Sequence, residues 1–410
     1  MITPMRTEVT TSETGGEQLN NGLTAKKHKL KIQFVFNFCA HYRIRLFEIL
    51  AKKYDISFLF FSEGGEKYYD GLGGLHLGDF KGRYLKGFNL TSKLRINPEL
   101  FRELFSKETN LILKCINGPF PLLLAYLAAR FRKLPFILWT GIWHDLETPF
   151  HRIAARIVHR VFHGSDAIVV YGDHVKRYLI EKGVDGRKIF PAYQAHDTEK
   201  FLIHVPPEEI EKLRDELGIT TPNVILYVGR FVEEKGLEHL LTAYEKMNRD
   251  DVSLLLVGAG NTKAALRKRV KNLRNAFIEG YVKNDLLYRY YALADILVLP
   301  SITTATFKEP WGFVVNEAMC QSCAVVVTDA VGAGMGGLVE EGVNGFIVPE
   351  RNSAALANAI ARLLDNPTLR EGFQERALEK MKTWDHEFMS RGFDAAIAYA
   401  LKHHDNGKSD

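Results

Sequence analysis

Short apolar runs alternate with helical patterns along almost the whole chain. The runs at 136–140, 224–228 and 254–257 are examples. They are continuously apolar, which is typical of parallel strands covered on both faces. Strands that alternate with helices favour an α/β fold, and here the pattern falls into two halves of similar length. The sequence therefore predicts two doubly wound, Rossmann-like domains that face a central cleft.

Composition narrows the class of protein further. The chain has 410 residues, of which 46% are hydrophobic, and this is enough for two buried cores. The net charge of +5 is mild and does not call for nucleic acid as a partner. Four cysteines are too few for a disulfide framework and fit a reducing cytoplasm. Residues 1–28 are almost free of apolar side chains, so we expect a disordered leader there.

The stretch 294–320 contains the strongest candidates for ligand-binding residues. An apolar run ends at Pro300 and Ser301, and a helical pattern begins after Gly312, so that Glu309 lies in a loop and Glu317 in a helix. Free amides at a helix start suit a phosphate, and carboxylates accept hydrogen bonds from sugar hydroxyls. The plain alternative is a solvated loop glutamate and a helix glutamate stabilised by the helix dipole.

Two motifs together resemble one known family. The first is the pair Glu309 and Glu317, and the second is Gly229-Arg230 followed by Lys235-Gly236, directly after an apolar run. The chain is identified by them as similar to the family 4 retaining glycosyltransferases, the group 1 glycosyl transferases of GT-B fold. This likeness extends from about residue 30 to about 385 and is strongest between 224 and 349.

The resemblance implies a domain plan. It places an acceptor-side domain at 29–203 and a nucleotide-sugar domain at 204–383. A helix at 384–403 would cross back onto the first domain, and 404–410 would be a disordered tail. The glycine-rich stretch 62–92 is expected to be an irregular excursion of unknown role.

The resemblance also implies roles for individual residues. Arg230 and Lys235 would hold the leaving diphosphate, since two fixed cations can replace a metal there. Glu309 would contact the donor sugar and Glu317 the ribose, while His144, oriented by Asp145, would lie near the hexose. The expected catalytic residues are Glu309, His144, Arg230 and Lys235; the expected donor-binding residues are Arg230, Lys235, Glu309, Gly312, Phe313, Val314, Val315, Glu317 and Val282.

Two of these assignments have plain alternatives. His144 could be an ordinary loop histidine, and the two cations could be ordinary surface residues. The sequence also departs from the family, because no glycine-rich loop follows the first strand; Tyr42 and Arg43 stand there instead. Arg43 would either approach an anionic ligand or lie on the surface.

The implied function is transfer of a hexose-type sugar from a UDP- or GDP-sugar, with retention, to a glycan or lipid-linked glycan of a surface polysaccharide or glycoconjugate. No cofactor is expected beyond the donor, and no metal, because the chain lacks an Asp-x-Asp pair. One alternative is a scaffold that binds nucleotide-sugar without turnover. Another is a phosphorylase of the same fold, which would carry pyridoxal phosphate on a lysine.

One helix bears on where the protein works. The pattern at 149–163 predicts an amphipathic helix with Arg152, Arg156 and Arg160 on its polar stripe. Such a stripe favours a peripheral position on an anionic membrane surface, here the inner face of the cytoplasmic membrane. The alternative is that the apolar face belongs to the domain core and the arginines are simply solvated.

Overall fold

The structure is a computed structural model that describes residues 30–62, 77–91, 94–106, 108–145 and 149–406. For 89–95, 149–154 and 405–406 nothing is said of side chains. The predicted leader at 1–28 and the last four residues of the predicted tail lie outside these ranges, as does much of the excursion at 62–92.

The first domain is built on a parallel sheet of seven strands in the order β3-β2-β1-β6-β7-β8-β9. A short antiparallel hairpin, β4 with β5, stands beside it. In the described part of this domain the strands are β1 Lys31–Phe36, β2 Asp55–Phe60, β3 Gly82–Tyr84, β4 Phe88–Thr91, β5 Leu94–Ile96, β6 Leu111–Cys115, β7 Phe136–Thr140, β8 Ala167–Val170 and β9 Ile189–Pro191. The excursion is therefore not wholly irregular: β3 pairs with β2 through Arg83 and Leu59. The pairing could not be predicted from the sequence, because the strands are short and the stretch is rich in glycine.

The helices of the first domain connect and cover these strands. They are α1 Ile44–Lys53, α2 Pro98–Leu104, α3 Pro119–Phe131, α4 Pro149–Gly164 and α5 Asp173–Glu181. The middle strands β6, β7 and β8 are buried along their whole length, as the mainly apolar sequences of β7 and β8 predict, and β6 also buries Lys114.

The second domain repeats the plan with six parallel strands in the order β12-β11-β10-β13-β14-β15. Its strands are β10 Asn223–Val228, β11 Val252–Val257, β12 Ala276–Glu279, β13 Ile296–Leu299, β14 Ala324–Thr328 and β15 Gly345–Val348. The last strand, β15, pairs in parallel with β14.

The helices of the second domain are α6 Pro207–Leu217, α7 Leu237–Met247, α8 Lys263–Val270, α9 Leu287–Leu293, α10 Phe313–Cys320, α11 Gly332–Met335, α12 Ser353–Asp365 and α13 Pro367–Met381. The two cysteines near α10, Cys320 and Cys323, are buried free thiols that pack in the core.

A last helix, α14 His386–Asn406, returns to the first domain and packs on α1, β8 and β9. Asp394 on this helix accepts hydrogen bonds from Lys53 Nζ at 2.8 Å and Tyr54 Oη at 2.9 Å. The helix ends three residues beyond the predicted limit of 403. Within the described ranges, every helix is too short or too polar to span a bilayer.

The two sheets present their carboxyl ends to each other. Trp143 follows β7 of the first domain, Glu309 follows β13 of the second, and the two residues are in contact. The prediction of two doubly wound α/β domains that face a cleft is confirmed. In such folds ligands bind beyond the carboxyl ends of the strands, so the cleft is where a site is expected.

Candidate active site between the two domains

The centre of the cleft is an ion pair between Lys235 and Glu309. The Lys235 ammonium donates to Oε2 of Glu309, and the Ser301 hydroxyl donates to the same oxygen at 3.2 Å. Only 12% of the Lys235 side chain and 10% of the Glu309 side chain are exposed. A buried carboxylate with two donors on one oxygen is held in a fixed position, with its charge matched by one cation.

Two glycines allow the chain to bring these side chains together. Gly236 follows Lys235 with a φ of 65°, and a Cβ there would lie 2.0 Å from the Pro300 carbonyl oxygen. Gly312 precedes α10 with a φ of 98°, and a Cβ there would lie 2.7 Å from Leu299 Cδ2. Both positions need left-handed backbone and close contact with the end of β13, which only glycine supplies without strain.

The start of α10 offers fewer free amides than predicted. Val315 N–H donates to the Gly312 carbonyl at 3.0 Å, so it is already used in the first turn. Phe313 and Val314 occupy the first two helical positions, where amides have no partner within the helix. A phosphate at this helix start would therefore contact those two amides.

Glu317 lies one helical turn further on and has different surroundings. Its Oε2 accepts a hydrogen bond from the Tyr291 hydroxyl at 2.6 Å. Burial raises the pKa of Glu317 from its usual 4.5 to about 7, against the opposing effect of the Tyr291 hydrogen bond. Near neutral pH this carboxyl group is therefore shared between its protonated and ionised forms.

Arg230 stands at the exposed edge of the site. Its guanidinium Nη2 lies 3.4 Å from Glu234 Oε1, and 39% of its side chain is exposed. Its backbone carbonyl accepts a hydrogen bond from Tyr227 Oη at 2.8 Å, which fixes the turn after β10. The turn thus brings Arg230 and Lys235 to one end of β10, with the partly exposed Arg230 beside Glu234 and the buried Lys235 paired with Glu309.

The first domain forms hydrogen bonds with the loop that carries Glu309 (residues 301–312, the Glu309 loop). Trp143 Nε1 donates to the Glu309 carbonyl at 3.1 Å, and His174 Nε2 lies 3.0 Å from the Pro310 carbonyl. The Lys308 ammonium lies 3.9 Å from the centre of the Trp143 ring. Burial lowers the pKa of His174 to about 3, so its ring is neutral and Nε2 donates.

His144 follows Trp143 directly, so it belongs to the same edge of the cleft. Its Nε2 is buried and has no hydrogen-bond partner among the described residues. Asp145 does not orient it, contrary to our expectation, because Asp145 accepts hydrogen bonds from Tyr178 at 2.6 Å and from Lys182. Both donors lie on or just beyond α5, which draws the Asp145 carboxylate toward that helix.

Arg43 is neither a surface residue nor exposed to the cleft. It is 2% exposed, its Nη2 donates to Gln194 Oε1, and its guanidinium stacks among four aromatic rings. These rings belong to Tyr42, Trp139, Tyr171 and Phe313. Arg43 thus joins α1 to α10 and to residues 192–206, the segment between the domains, so its role is structural.

Several contacts of the site escaped the sequence reasoning. Ser301 and Tyr291 bind the two carboxylates, and Trp143 and His174 hold the Glu309 loop. A signal existed for Ser301, which ends the strand before the loop, and for Trp143, which precedes His144.

Val282 lies half-buried beyond β12, at the same edge of the sheet as Arg230. Across the described part of the chain, no three His, Cys, Asp or Glu side chains are grouped to hold a metal ion.

Comparisons with known proteins agree with this geometry. Residues 209–380 match the family model of the group 1 glycosyl transferases. The chain is 32% identical over 171 residues to the alpha-D-kanosaminyltransferase of Streptomyces kanamyceticus, a match that covers 40% of this chain and 42% of the relative. It is 30% identical over 164 residues to the phosphatidyl-myo-inositol mannosyltransferase of Mycobacterium leprae, covering 39% of this chain and 42% of the relative. The matched parts span less than half of either relative.

Known structures resemble the chain over most of its length. The crystal structure of HepE from Anabaena in complex with UDP superposes with a TM-score of 0.71 at 20% identity. The superposition covers 90% of this chain and all of HepE, which has also been crystallised with UDP-glucose. At this level of identity the likeness establishes the fold.

Two facing Rossmann-like domains, with acidic and basic side chains gathered at the carboxyl ends of the second sheet, define a protein of the GT-B class. Within this fold, the match at residues 209–380 makes the second domain similar to the group 1 glycosyl transferases.

Proposed function

We propose that the protein transfers a hexose-type sugar from a nucleotide-sugar to a hydroxyl group of a glycan acceptor, with retention at the anomeric carbon. The observation that carries this proposal is the buried contact between Lys235 and Glu309 beside Arg230 and the start of α10. It brings a cation for a leaving phosphate and a carboxylate for sugar hydroxyls into one cleft.

The donor is a nucleoside diphosphate sugar. Arg230 and Lys235 neutralise the charge that grows on the departing diphosphate, and the amides of Phe313 and Val314 bind its oxygens. Glu317 accepts hydrogen bonds from the ribose, and the backbone near Val282 reads the base. UDP and GDP are the candidate nucleotides, and the UDP-bound relative HepE favours UDP.

The reaction proceeds on one face of the sugar. The bond from the anomeric carbon to the phosphate oxygen breaks, and its electron pair leaves with the nucleoside diphosphate. The acceptor oxygen forms the new bond on the same face, and its proton passes to the departing phosphate oxygen. Glu309 orients the sugar through its hydroxyls, and His144 contacts the hexose from the first domain.

We propose that this reaction needs neither metal nor cofactor, since the two cations take the part a metal would play at the diphosphate. Activity is then unchanged after dialysis against EDTA. Activity that falls in chelator and returns with magnesium or manganese would contradict this. A colourless purified protein without the absorbance of pyridoxal phosphate would exclude the phosphorylase alternative.

We further propose a lipid-linked acceptor and a peripheral position on the inner face of the cytoplasmic membrane. The helix α4 alone supports this less than its pattern predicts, because Val161 and Phe162 on its apolar face are buried in the core. Arg156 and Arg160 are exposed beside Ile157, which is 42% exposed.

Neighbouring helices supply more apolar surface. Phe131 at the end of α3 is 80% exposed, Leu127 is 52% exposed, and Phe101 on α2 is 56% exposed. The Phe105 ring lies 4.6 Å from that of Phe101 and 5.9 Å from that of Phe131, so the aromatic side chains form one patch. Arg102, next to this patch, has 75% of its side chain exposed. Apolar side chains with basic neighbours suit an anionic lipid surface.

Liposome flotation tests the membrane proposal. The protein should float with anionic liposomes at low salt, and a Phe101→Ser, Phe131→Ser variant should float less. Leu286→Ser, an exposed apolar residue of the second domain, is the control. Protein that stays in the soluble fraction on anionic liposomes at low salt would point to a soluble acceptor.

The central experiment combines binding with turnover. A thermal-shift panel of nucleotides and nucleotide-sugars should raise the melting temperature for one nucleotide and its sugars, because a ligand that binds only the folded state stabilises it. Release of that nucleoside diphosphate from the sugar donor should then follow when acceptor is added. Binding without any turnover on glycan or lipid-linked acceptors would favour the scaffold alternative.

A further inference from the structure

A small cavity adjoins Glu317 at the segment between the domains. Its volume is about 190 Å³. Pockets that enclose a whole drug-sized ligand have roughly 300–1,000 Å³, so this cavity suits one ring of a larger ligand. Its walls include two aromatic side chains, an amide and an imidazole beside the carboxyl group of Glu317: Phe201, Phe313, Asn284 and His196.

His196 in this wall contacts aromatic rings but forms no hydrogen bond with the described residues. The residue is 4% exposed, and neither ring nitrogen has a hydrogen bond among the described residues. Buried polar atoms are almost always hydrogen-bonded, so two open ring nitrogens call for a partner from outside the chain. Burial lowers the pKa of His196 to about 3, which makes the ring neutral, with one donor and one acceptor.

The position of His196 relative to Glu317 is fixed. Two residues before it, the Gln194 carbonyl accepts hydrogen bonds from Asn316 Nδ2 at 3.3 Å and Trp384 Nε1 at 3.0 Å. Asn316 immediately precedes Glu317 on α10. The same helix therefore carries one wall of the cavity and anchors the segment that forms the other.

The chemistry of the two walls is complementary to a ribose hydroxyl. An ionised Glu317 only accepts hydrogen bonds, and Tyr291 uses Oε2 but not Oε1. The neutral imidazole of His196 can donate one hydrogen bond. A ribose hydroxyl can therefore donate to Glu317 and accept from His196 at the same time.

We propose that His196 recognises the nucleoside of the donor by donating a hydrogen bond to a ribose hydroxyl that Glu317 also binds. This assignment rests on the proposed function, in which Glu317 holds the ribose. It makes His196 a specificity residue for ribonucleotides over deoxyribonucleotides, supplied by the segment between the domains rather than by the second domain.

Calorimetric titration with UDP and GDP and with their 2′-deoxy and 3′-deoxy analogues tests the proposal. The wild-type protein should bind the preferred ribonucleotide about 10- to 100-fold more tightly than one of its deoxy analogues, because the missing hydroxyl forms two hydrogen bonds and each is worth up to about 10-fold. His196→Phe should lose about 10-fold for the ribonucleotide and lose nothing for that analogue. His196→Asn, which keeps a donor, should retain part of the preference.

The control variant is His386→Phe. This buried histidine lies in the same region, but its Nε2 is already 3.1 Å from the Tyr42 carbonyl. It should leave the preference for ribonucleotide intact, and thermal unfolding of each variant reports on folding. Equal loss of affinity for ribose and deoxy nucleotides in His196→Phe, or no loss at all, would overturn the role of His196. Absence of nucleotide binding by the wild-type protein would instead overturn the proposed function, and this assignment with it.

Discussion

Glu309 and Glu317 lie eight residues apart, yet their surroundings differ in charge. Glu309 contacts Lys235 and Ser301, and its own backbone is held by Trp143 of the first domain. Glu317 contacts the neutral Tyr291, and burial raises its pKa to about 7. Glu309 is thus paired with a cation, while Glu317 has no cationic partner and is ionised fully only when a ligand or a higher pH favours the ionised form. This difference suits a reacting sugar at Glu309 and a binding contact at Glu317.

Glu309→Gln should produce the largest effect. The amide keeps the shape of the side chain but removes the charge that faces Lys235, so the single-turnover rate should fall by about 100- to 1,000-fold. Nucleotide affinity should change little. Rapid-quench measurement of sugar transfer, with calorimetry for nucleotide binding, separates the two. Glu233→Gln, an exposed glutamate two residues from Lys235, is the control. Normal transfer by Glu309→Gln would refute the assignment of the site.

Lys235→Met should come next, with a loss of about 100-fold in turnover and a loss of stability. Removing one partner of a buried ion pair costs roughly 3–5 kcal/mol, because the other charge is left without compensation. Arg230→Met should lower turnover similarly but change the free energy of unfolding by less than about 1 kcal/mol, since the Arg230 pair with Glu234 is partly exposed.

Urea unfolding of both variants measures this contrast. Adding Glu309→Gln to Lys235→Met should restore part of the lost stability, because the uncompensated charge is then absent. Two cation variants of equal stability would mean that Lys235 and Glu309 do not form a buried pair in solution.

The parts of the site that the sequence could predict are local. Strand, turn and helix follow one another within a few residues at both Gly229–Gly236 and 296–317, so the turn glycines and the charged residues mark the end of a buried strand. The fold could be predicted from similarly local patterns, since a buried parallel strand appears in the sequence as one apolar run. Local order therefore sufficed to indicate both domains, while the choice of the four charged residues of the second domain also depended on the family resemblance.

The remaining contacts join distant parts of the chain and leave no local pattern. Trp143 and Glu309 are 166 residues apart, and Arg43 and Gln194 are 151 apart. Tyr42 is next to Arg43 in the sequence, but the other three aromatic side chains that enclose Arg43 come from distant parts of the chain. Such contacts depend on how the two domains dock, which no single segment encodes.

Glu317→Gln should have a smaller effect, on binding rather than on turnover, and should remove a pH dependence. Ribose hydroxyls donate to the ionised carboxylate, so wild-type nucleotide affinity should rise as pH increases from 6 to 8 through the pKa of about 7. The variant should bind about 10-fold more weakly at pH 8, with a flatter profile. Calorimetry at several pH values measures this.

The raised pKa of Glu317 also predicts that the stability of the folded protein falls as pH rises. The folded pKa lies above the ordinary value of 4.5, so the protonated Glu317 favours the folded state. Its contribution is complete below about pH 4.5 and is lost as pH rises to about 7. Above pH 7 the Glu317→Gln protein should therefore be more stable than wild type. A wild-type protein with equal or greater stability there would contradict the raised pKa.

Trp143→Phe should give the smallest effect and bears on how the first domain contributes. The substitution removes the indole N–H that donates to the Glu309 carbonyl at 3.1 Å, but keeps a ring for Lys308 and His174 to contact. One neutral hydrogen bond corresponds to about a 2- to 10-fold change, so turnover should fall by that factor while nucleotide affinity stays the same. Trp139→Phe is the matched control, because the Trp139 N–H in the first-domain core has no partner among the described residues. If Trp143→Phe instead weakens nucleotide binding and leaves turnover unchanged, the first domain acts on the donor directly, and the Glu309 loop does not depend on the contact between the domains.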